Sequence, residues 1–265
     1  MIGAIIGDIV GSPYEYNNIK TKDFELFGEK SRFTDDTVIT IAVAETLLSF
    51  EKIDENNVEE FKSKLVQIMR KNGKQHLLSG FGVKFFNWLM QKNPKPYNSF
   101  GNGSAMRVSP VAWYADTLQE TFFLAKATTE ITHNHPEGIK GAISTAGAIF
   151  LAKNGASMSE IQDFVSQYYI IDFSIDEIRP TYKYEFSCQG SVPQAFQAFF
   201  ESDSFEDAIR NAVSIGGDSD TIAAITGSIA EAYYGADKNI ADMAKKYLTE
   251  DLYIVLDKFN SKYVK

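Results

Sequence analysis

Two short stretches of this sequence gather carboxylates and hydroxyls directly ahead of apolar segments. The first is Thr34-Asp35-Asp36-Thr37, which leads into TVITIAVAETLLSF at 37–50. The second is Gly216-Gly217-Asp218-Ser219-Asp220-Thr221, which leads into TIAAITGSIAEAYY at 221–234. Both put acids where the free N–H groups and dipole of a helix start favour negative charge. Helix capping by Thr34 or Asp35, and by Asp218 or Ser219, uses one oxygen at each start. Each stretch offers more than that: at least two carboxylates and a threonine hydroxyl, beside a segment apolar enough to be buried. Ionised carboxylates crowded in such a place repel and lose hydration unless a cation neutralises them. Hard oxygen donors with no thiolate nearby select Mg²⁺ or Mn²⁺ over structural zinc. The Asp218/Asp220 spacing suits a loop wrapping one ion. If the two helix starts converge, four carboxylates can hold two cations, which orient a water and stabilise developing oxyanions. The glycine and distant glutamate of an EF-hand loop are missing.

Three further places carry candidate chemistry. Gly101-Asn102-Gly103-Ser104-Ala105-Met106-Arg107 has closely spaced glycines, which let backbone N–H groups approach phosphates or simply make a tight turn. It is neither a Walker loop nor a G-x-G-x-x-G fingerprint. Thr132-His133-Asn134-His135-Pro136 holds two of the three histidines, and His133 is either a ligand contact or a hydrogen-bonded loop residue. His76 reads as a surface residue. Glu15, after Gly11-Ser12-Pro13-Tyr14, is either an ordinary exposed acid or a further carboxylate for the metal centre. The single cysteine, Cys188, reads as a small buried residue without chemistry.

The elements that must position these groups are helical. Segments 37–50 and 221–234 are apolar on nearly every side and predict buried helices. Residues 58–71 are amphipathic, with Val58, Phe61, Leu65 and Ile68 on one face. Helical spacing continues over 82–91, 118–129, 138–153, 159–169, 192–200, 205–213, 240–247 and 249–259. Only 183–186 alternates weakly enough to be extended. Loops are expected at 7–18, 29–36, 93–110, 132–137, 186–191 and 216–220, where glycine, proline and the unusual polar residues collect. No Gly/Ser/Pro-rich linker divides the chain, so 1–265 is read as a single compact all-α domain.

Composition narrows the function. The net charge of −9, with no long basic run, disfavours general nucleic-acid binding. No segment approaches the roughly 18 apolar residues of a membrane helix, and the start at 1–10 is too short and uncharged for a signal peptide. One cysteine excludes an internal disulfide and fits a reducing, cytoplasmic setting.

Taken in order, GAIIGDIVGSPYE (3–15), FTDDT (33–37), GNGSAMRVSP (101–110), THNHPEGIKGA (132–142) and GGDSDT (216–221) resemble the ADP-ribosylglycohydrolase family, which includes the dinitrogenase reductase-activating glycohydrolases. The resemblance implies an all-α fold and a dinuclear Mg²⁺ or Mn²⁺ centre. Family metal ligands fall on Thr34, Asp35, Asp36, Asp218, Asp220 and Thr221, and Glu15 matches a metal ligand or proton carrier. Gly101, Asn102, Gly103, Ser104 and Met106 fall in the family's diphosphate cradle, and His133 matches a histidine that contacts ADP-ribose. SCQGS at 187–191 resembles, less specifically, a loop lining the nucleotide pocket. The implied reaction frees ADP-ribose from a modified protein or small molecule, with Glu15, Asp35 or Asp36 acting on an oxocarbenium-like transition state. The competing functions are a module that binds ADP-ribose or a nucleotide without turnover, and a hydrolase of a free nucleotide derivative. The complete acidic set argues against the first. The linkage attacked resides in variable loops.

Overall fold

Where apolar residues recur on every side of a helix, the helix must be surrounded by others, and the structure is built around two such helices. The computed structural model describes residues 1–264. In chain order the helices are α1 (Ile2–Gly11), α2 (Asp35–Leu47), α3 (Val58–Gln75), α4 (Val83–Met90), α5 (Gly103–Met106), α6 (Ser109–Tyr114), α7 (Leu118–Glu130) and α8 (Pro136–Lys153). They continue with α9 (Met158–Ser166), α10 (Ile175–Ile178), α11 (Cys188–Phe200), α12 (Phe205–Ile215), α13 (Ser219–Tyr234), α14 (Lys238–Lys245) and α15 (Glu250–Tyr263). Among the described residues there is no β-strand, only one isolated antiparallel bridge between Gly101 and Ser187. The all-α expectation is correct, and the extended segment expected at 183–186 is irregular backbone. No helix is long and apolar enough to cross a membrane among the described residues.

The two predicted buried helices are α2 and α13, and each begins two residues earlier than its apolar text. All of α2 is buried except Asp35 and Glu45, and α13 is buried from Ser219 through Glu231. The earlier starts place Asp35, Asp36 and Asp220 in first helical turns, not in the loops expected for them. Pro136 and Cys188 likewise begin α8 and α11 inside segments read as loops, and α5 and the start of α6 lie within 93–110.

The largest correction concerns α1. Residues 7–11 were expected in a loop, yet Ile2–Gly11 is a helix whose ten residues are all buried. Interior glycine costs a helix about 1 kcal/mol against alanine, which makes the local text look like a loop. The tertiary fold needs those glycines. α1 lies antiparallel on α13, with Gly3, Gly7 and Gly11 against Gly227, Ala223 and Asp220. A Cβ on Gly7 would sit 2.0 Å from the Ala223 carbonyl oxygen, and one on Gly3 would sit 2.2 Å from that of Gly227. Glu231, in the last turn of α13, closes the pair by accepting hydrogen bonds from the N–H groups of Ile2 (3.0 Å) and Gly3 (2.8 Å). This supplies the N-terminal cap that α1 lacks locally.

Candidate metal and nucleotide site

The close contact of α1 with α13 brings Asp8 of α1 beside the starts of both buried helices. Asp8 is fully buried. It accepts hydrogen bonds from the Thr34 N–H (2.9 Å) and hydroxyl (2.6 Å), from the Thr37 N–H (3.1 Å) and from the Thr37 hydroxyl. A carboxylate from another helix therefore caps α2. Thr34 also caps it locally, its Oγ1 accepting from the Asp36 N–H at 3.3 Å. With that duty filled, Asp35 and Asp36 are free of capping.

The start of α13 is different. Gly216 and Gly217, with φ of 74° and 75°, reverse the chain in a region that residues with a Cβ avoid. Asp218 then occupies the N-cap position but makes no capping bond. Its Oδ2 instead accepts from the Asn102 Nδ2 at 2.7 Å, tying the acidic cluster to the glycine loop. Thr221 donates its hydroxyl to the Asp36 Oδ2 at 3.1 Å, which joins the two acidic stretches directly.

The carboxylates form two groups of three. Asp8, Asp36 and Asp220 each offer an oxygen within 4.8 Å of the others, and so do Glu15, Asp218 and Asp220. Asp220 is common to both. Burial raises the proton affinity of Asp36 and Asp220 far above the ordinary carboxylate range, and the neighbouring carboxylates raise it further. Burial does the same, less strongly, to Asp8, Asp218 and Glu15. Asp35, outside both groups, is pushed up to about 8 by burial and by the charges of Asp8, Asp218 and Glu15. Among the described residues no lysine or arginine pairs with any of these six acids. The Asp36 Oδ1 is buried without a hydrogen-bond partner. Crowded oxygens, one of them orphaned and none neutralised by a basic side chain, match what a hard divalent cation requires.

Five of these six acids, all but Asp8, line a cavity of about 520 Å³, within the roughly 300–1,000 Å³ of small-molecule sites. Glu15, Asp35, Asp36, Asp218, Asp220 and Thr221 line it, together with Gly101, Asn102, Gly103, Met106 and His133. Two expected residues lie behind the wall. Thr34 is engaged by Asp8, and the Ser104 hydroxyl turns away to the Gly101 carbonyl (3.1 Å). The glycine loop is also less open than a bare cradle of amides. Its Asn102 N–H donates to the Phe186 carbonyl at 2.7 Å and its Ser104 N–H to that of Gly101 at 3.4 Å, while the Gly103 N–H has no such bond among the described residues.

Sequence reasoning missed several wall residues. Arg107 was seen only as the end of the glycine text, but its fully buried guanidinium underlies the loop and donates to the Gly103 carbonyl. Asp8, fully buried behind the wall, is not among the residues expected at the site. Phe100 and Phe186 stack at the rim with ring centres 6.1 Å apart, and Tyr16 stacks on Tyr184 at 6.5 Å. Residues 80–85 form a further wall. No spacing rule links these scattered aromatics. His133 is buried, and burial followed by the Arg107 charge holds its imidazole well below the usual histidine range, so it is neutral. His135 caps α8 by accepting from the Glu137 N–H at 3.1 Å. His76, expected at the surface, is partly enclosed and meets Asp251 at 2.9 Å. The Cys188 thiol is buried and pushed up to about 12, which leaves it inert as a nucleophile.

Comparison with known proteins agrees with this geometry. The chain is 26% identical to mouse (Mus musculus) ADP-ribosylhydrolase ARH3 over 314 aligned residues, covering 90% of this chain and 83% of that protein. It is 26% identical to the ADP-ribosylarginine hydrolase Tri1 of Pseudomonas putida, covering 89% of this chain and 69% of that one. A solved structure described as an ADP-ribosylglycohydrolase-related protein complex shares the fold with a TM-score of 0.71 at 19% identity, covering 99% of this chain and 97% of that chain. The family model for ADP-ribosylglycohydrolase matches residues 1–261. The chain therefore belongs to the ADP-ribosylglycohydrolase family of enzymes.

Proposed function

We propose that this enzyme is a divalent-metal-dependent hydrolase that cleaves the glycosidic bond between ADP-ribose and a modified protein or small molecule. One observation carries the reading: two carboxylate groups sharing Asp220, buried but for the half-buried Glu15 and without a basic partner, beside a nucleotide-sized cavity. Thr34, Asp35, Asp36, Asp218, Asp220 and Thr221 are the residues that would hold two Mg²⁺ or Mn²⁺ ions, joined by Glu15 and by Asp8. Asp220 would serve both ions, since both groups include it. Bound there, the ions would supply positive charge to orient the ribose hydroxyls and a water.

The chain's own groups divide the remaining work. Glu15 and Asp35 line the cavity outside the Asp8/Asp36/Asp220 group. Both have raised proton affinity, and Asp35, pushed up to about 8, can carry a proton near neutrality and exchange it with the departing group or the attacking water. Asp36, engaged by Thr221, is assigned to ion binding. The surrounding carboxylates also favour the positive charge that develops at the anomeric carbon. Elsewhere in the wall, the Gly103 N–H, His133 and the charge of Arg107 suit a diphosphate, and the Phe100/Phe186 pair suits the face of a base.

The test is hydrolysis of arginine-, serine- and nucleobase-linked ADP-ribose, read by mass spectrometry after chelation and again after adding Mg²⁺ or Mn²⁺. Release of ADP-ribose from at least one substrate, lost on chelation and restored by metal, is expected. Full turnover by protein shown metal-free by elemental analysis overturns the metal assignment. Absence of release from all three overturns the activity.

A further inference from the structure

A neutral histidine reaches a ligand either as a donor or as an acceptor, and its second ring nitrogen decides which. At His133 that second nitrogen is Nδ1. It lies 2.8 Å from the Thr132 hydroxyl and 3.4 Å from the Arg107 Nη2. The Arg107 Nη1 is in turn 3.1 Å from the same Thr132 oxygen. A guanidinium only donates. Thr132 therefore accepts from Arg107 and has its own hydroxyl proton left to give, and Nδ1 stands within reach of it. The opposite tautomer would set an Nδ1–H against an Arg107 N–H and strand the Thr132 hydroxyl proton in a fully buried place.

We infer that Arg107, acting through Thr132, fixes His133 as the Nε2–H tautomer, so that its proton is presented over the Gly101–Gly103 loop as a donor to the ligand. The far nitrogen is aimed there: a Cβ on Gly103 would lie 3.2 Å from Nε2, and one on Gly101 would lie 3.5 Å away. Arg107 also donates to the Gly103 carbonyl, so one buried guanidinium sets both the loop and the ring above it. It is a positioning residue, and its charge adds to burial, the larger cause, in lowering the proton affinity of the imidazole. An uncharged donor there adds a directed hydrogen bond to an anion. That part of the inference rests on the proposed binding of a diphosphate at this loop.

The experiment is imidazole ¹H–¹⁵N correlation spectroscopy on the full chain, simplified by the presence of only three histidines. In the unaltered protein the His133 Nε2 is expected to carry the proton and Nδ1 to be bare. Thr132→Val keeps the shape but removes the hydroxyl, and should mix the two tautomers. ADP-ribose affinity, measured by calorimetry, should fall about five- to tenfold, the size of one hydrogen bond. Arg107→Lys, which has no fork to span Thr132 and Nδ1, should shift the tautomers in the same direction. Thr132→Val supplies the result if the buried lysine prevents folding. A proton on Nδ1 in the unaltered protein, or unchanged populations in Thr132→Val, overturns the positioning role. A shifted tautomer with unchanged ADP-ribose affinity overturns the donor role. Failure of the unaltered protein to bind ADP-ribose sinks the proposed function instead, because the tautomer is read without ligand.

Discussion

The starts of α2 and α13 have nearly the same text and do different work. At α2, capping is done by Thr34 and by Asp8 reaching across from α1. At α13, the residue in the capping position, Asp218, gives its oxygen to Asn102 and leaves the helix without a side-chain cap. Both starts line the cavity, but the first is capped by side chains and the second is not. A carboxylate at a helix start therefore has no fixed meaning. What decides is whether another group already satisfies the helix N–H donors.

Asp220 gives the sharpest test of that contrast. Asp220→Asn keeps one oxygen for the Thr221 N–H but removes the charge from both carboxylate groups. Metal content and hydrolysis should fall together, by at least roughly the 10–100-fold of lesser disturbances to a metal shell. The melting temperature of the metal-free protein should hold or rise, since carboxylate repulsion is relieved. Loss of folding stability with normal metal content and turnover would erase the distinction between the two starts.

Asp8 should behave in the opposite order. Asp8→Asn turns an amide group toward Thr34 and Thr37 donors, so the metal-free protein should lose about 1–3 kcal/mol of stability. Denaturant unfolding of chelated protein measures this, and an unchanged midpoint would show that the cap of α2 is not supported from α1. Gly103→Val tests the glycine-loop wall of the cavity. Its side chain would press on the His133 Nε2 and the Arg107 Nη2, both about 3.2–3.3 Å from the added Cβ. ADP-ribose affinity should drop with helicity nearly unchanged, and an unaltered calorimetric affinity would remove the diphosphate from this loop.

A pH trend probes the start of α2 from another side. The Asp35 carboxyl is pushed up to about 8 in the folded chain, against about 3.9 when unfolded. Its raised value favours the protonated folded state, so that stability is full below the unfolded value and is lost as pH rises through about 8. Metal-free protein should melt progressively lower from pH 5 to about pH 9, less steeply in Asp35→Asn and less steeply with metal bound. A flat profile for the chelated protein would show that burial and the neighbouring carboxylates do not raise the Asp35 carboxyl.

Much of this site was legible before any coordinates because its signals are local. The paired acids and threonines stand next to one another in the chain, and their apolar continuations marked α2 and α13 as buried helices. The five family-like pieces carried the fold and the enzyme class. α1 was misread because its glycines oppose helix formation locally, and their reason is an approach to α13 more than 200 residues away in sequence. Ser104 was expected in the wall, but its hydroxyl is turned inward by a bond to Gly101 that spacing does not reveal.

By itself the sequence determined which residue types were available and which segments were helical, since side-chain chemistry and apolar periodicity are properties of the chain. It also determined that the acids at 34–36 and 218–220 exceed what two helix caps need. Only the tertiary structure decided that the two acidic stretches meet, that Asp220 is shared, and that Asp8 joins them. It alone decided that Arg107 lies under His133. The physical reason is distance: carboxylate repulsion, metal coordination and tautomer choice act over a few ångströms. Between Asp8 and Asp220 those ångströms follow from how closely the glycine face of α1 lets two helix backbones approach.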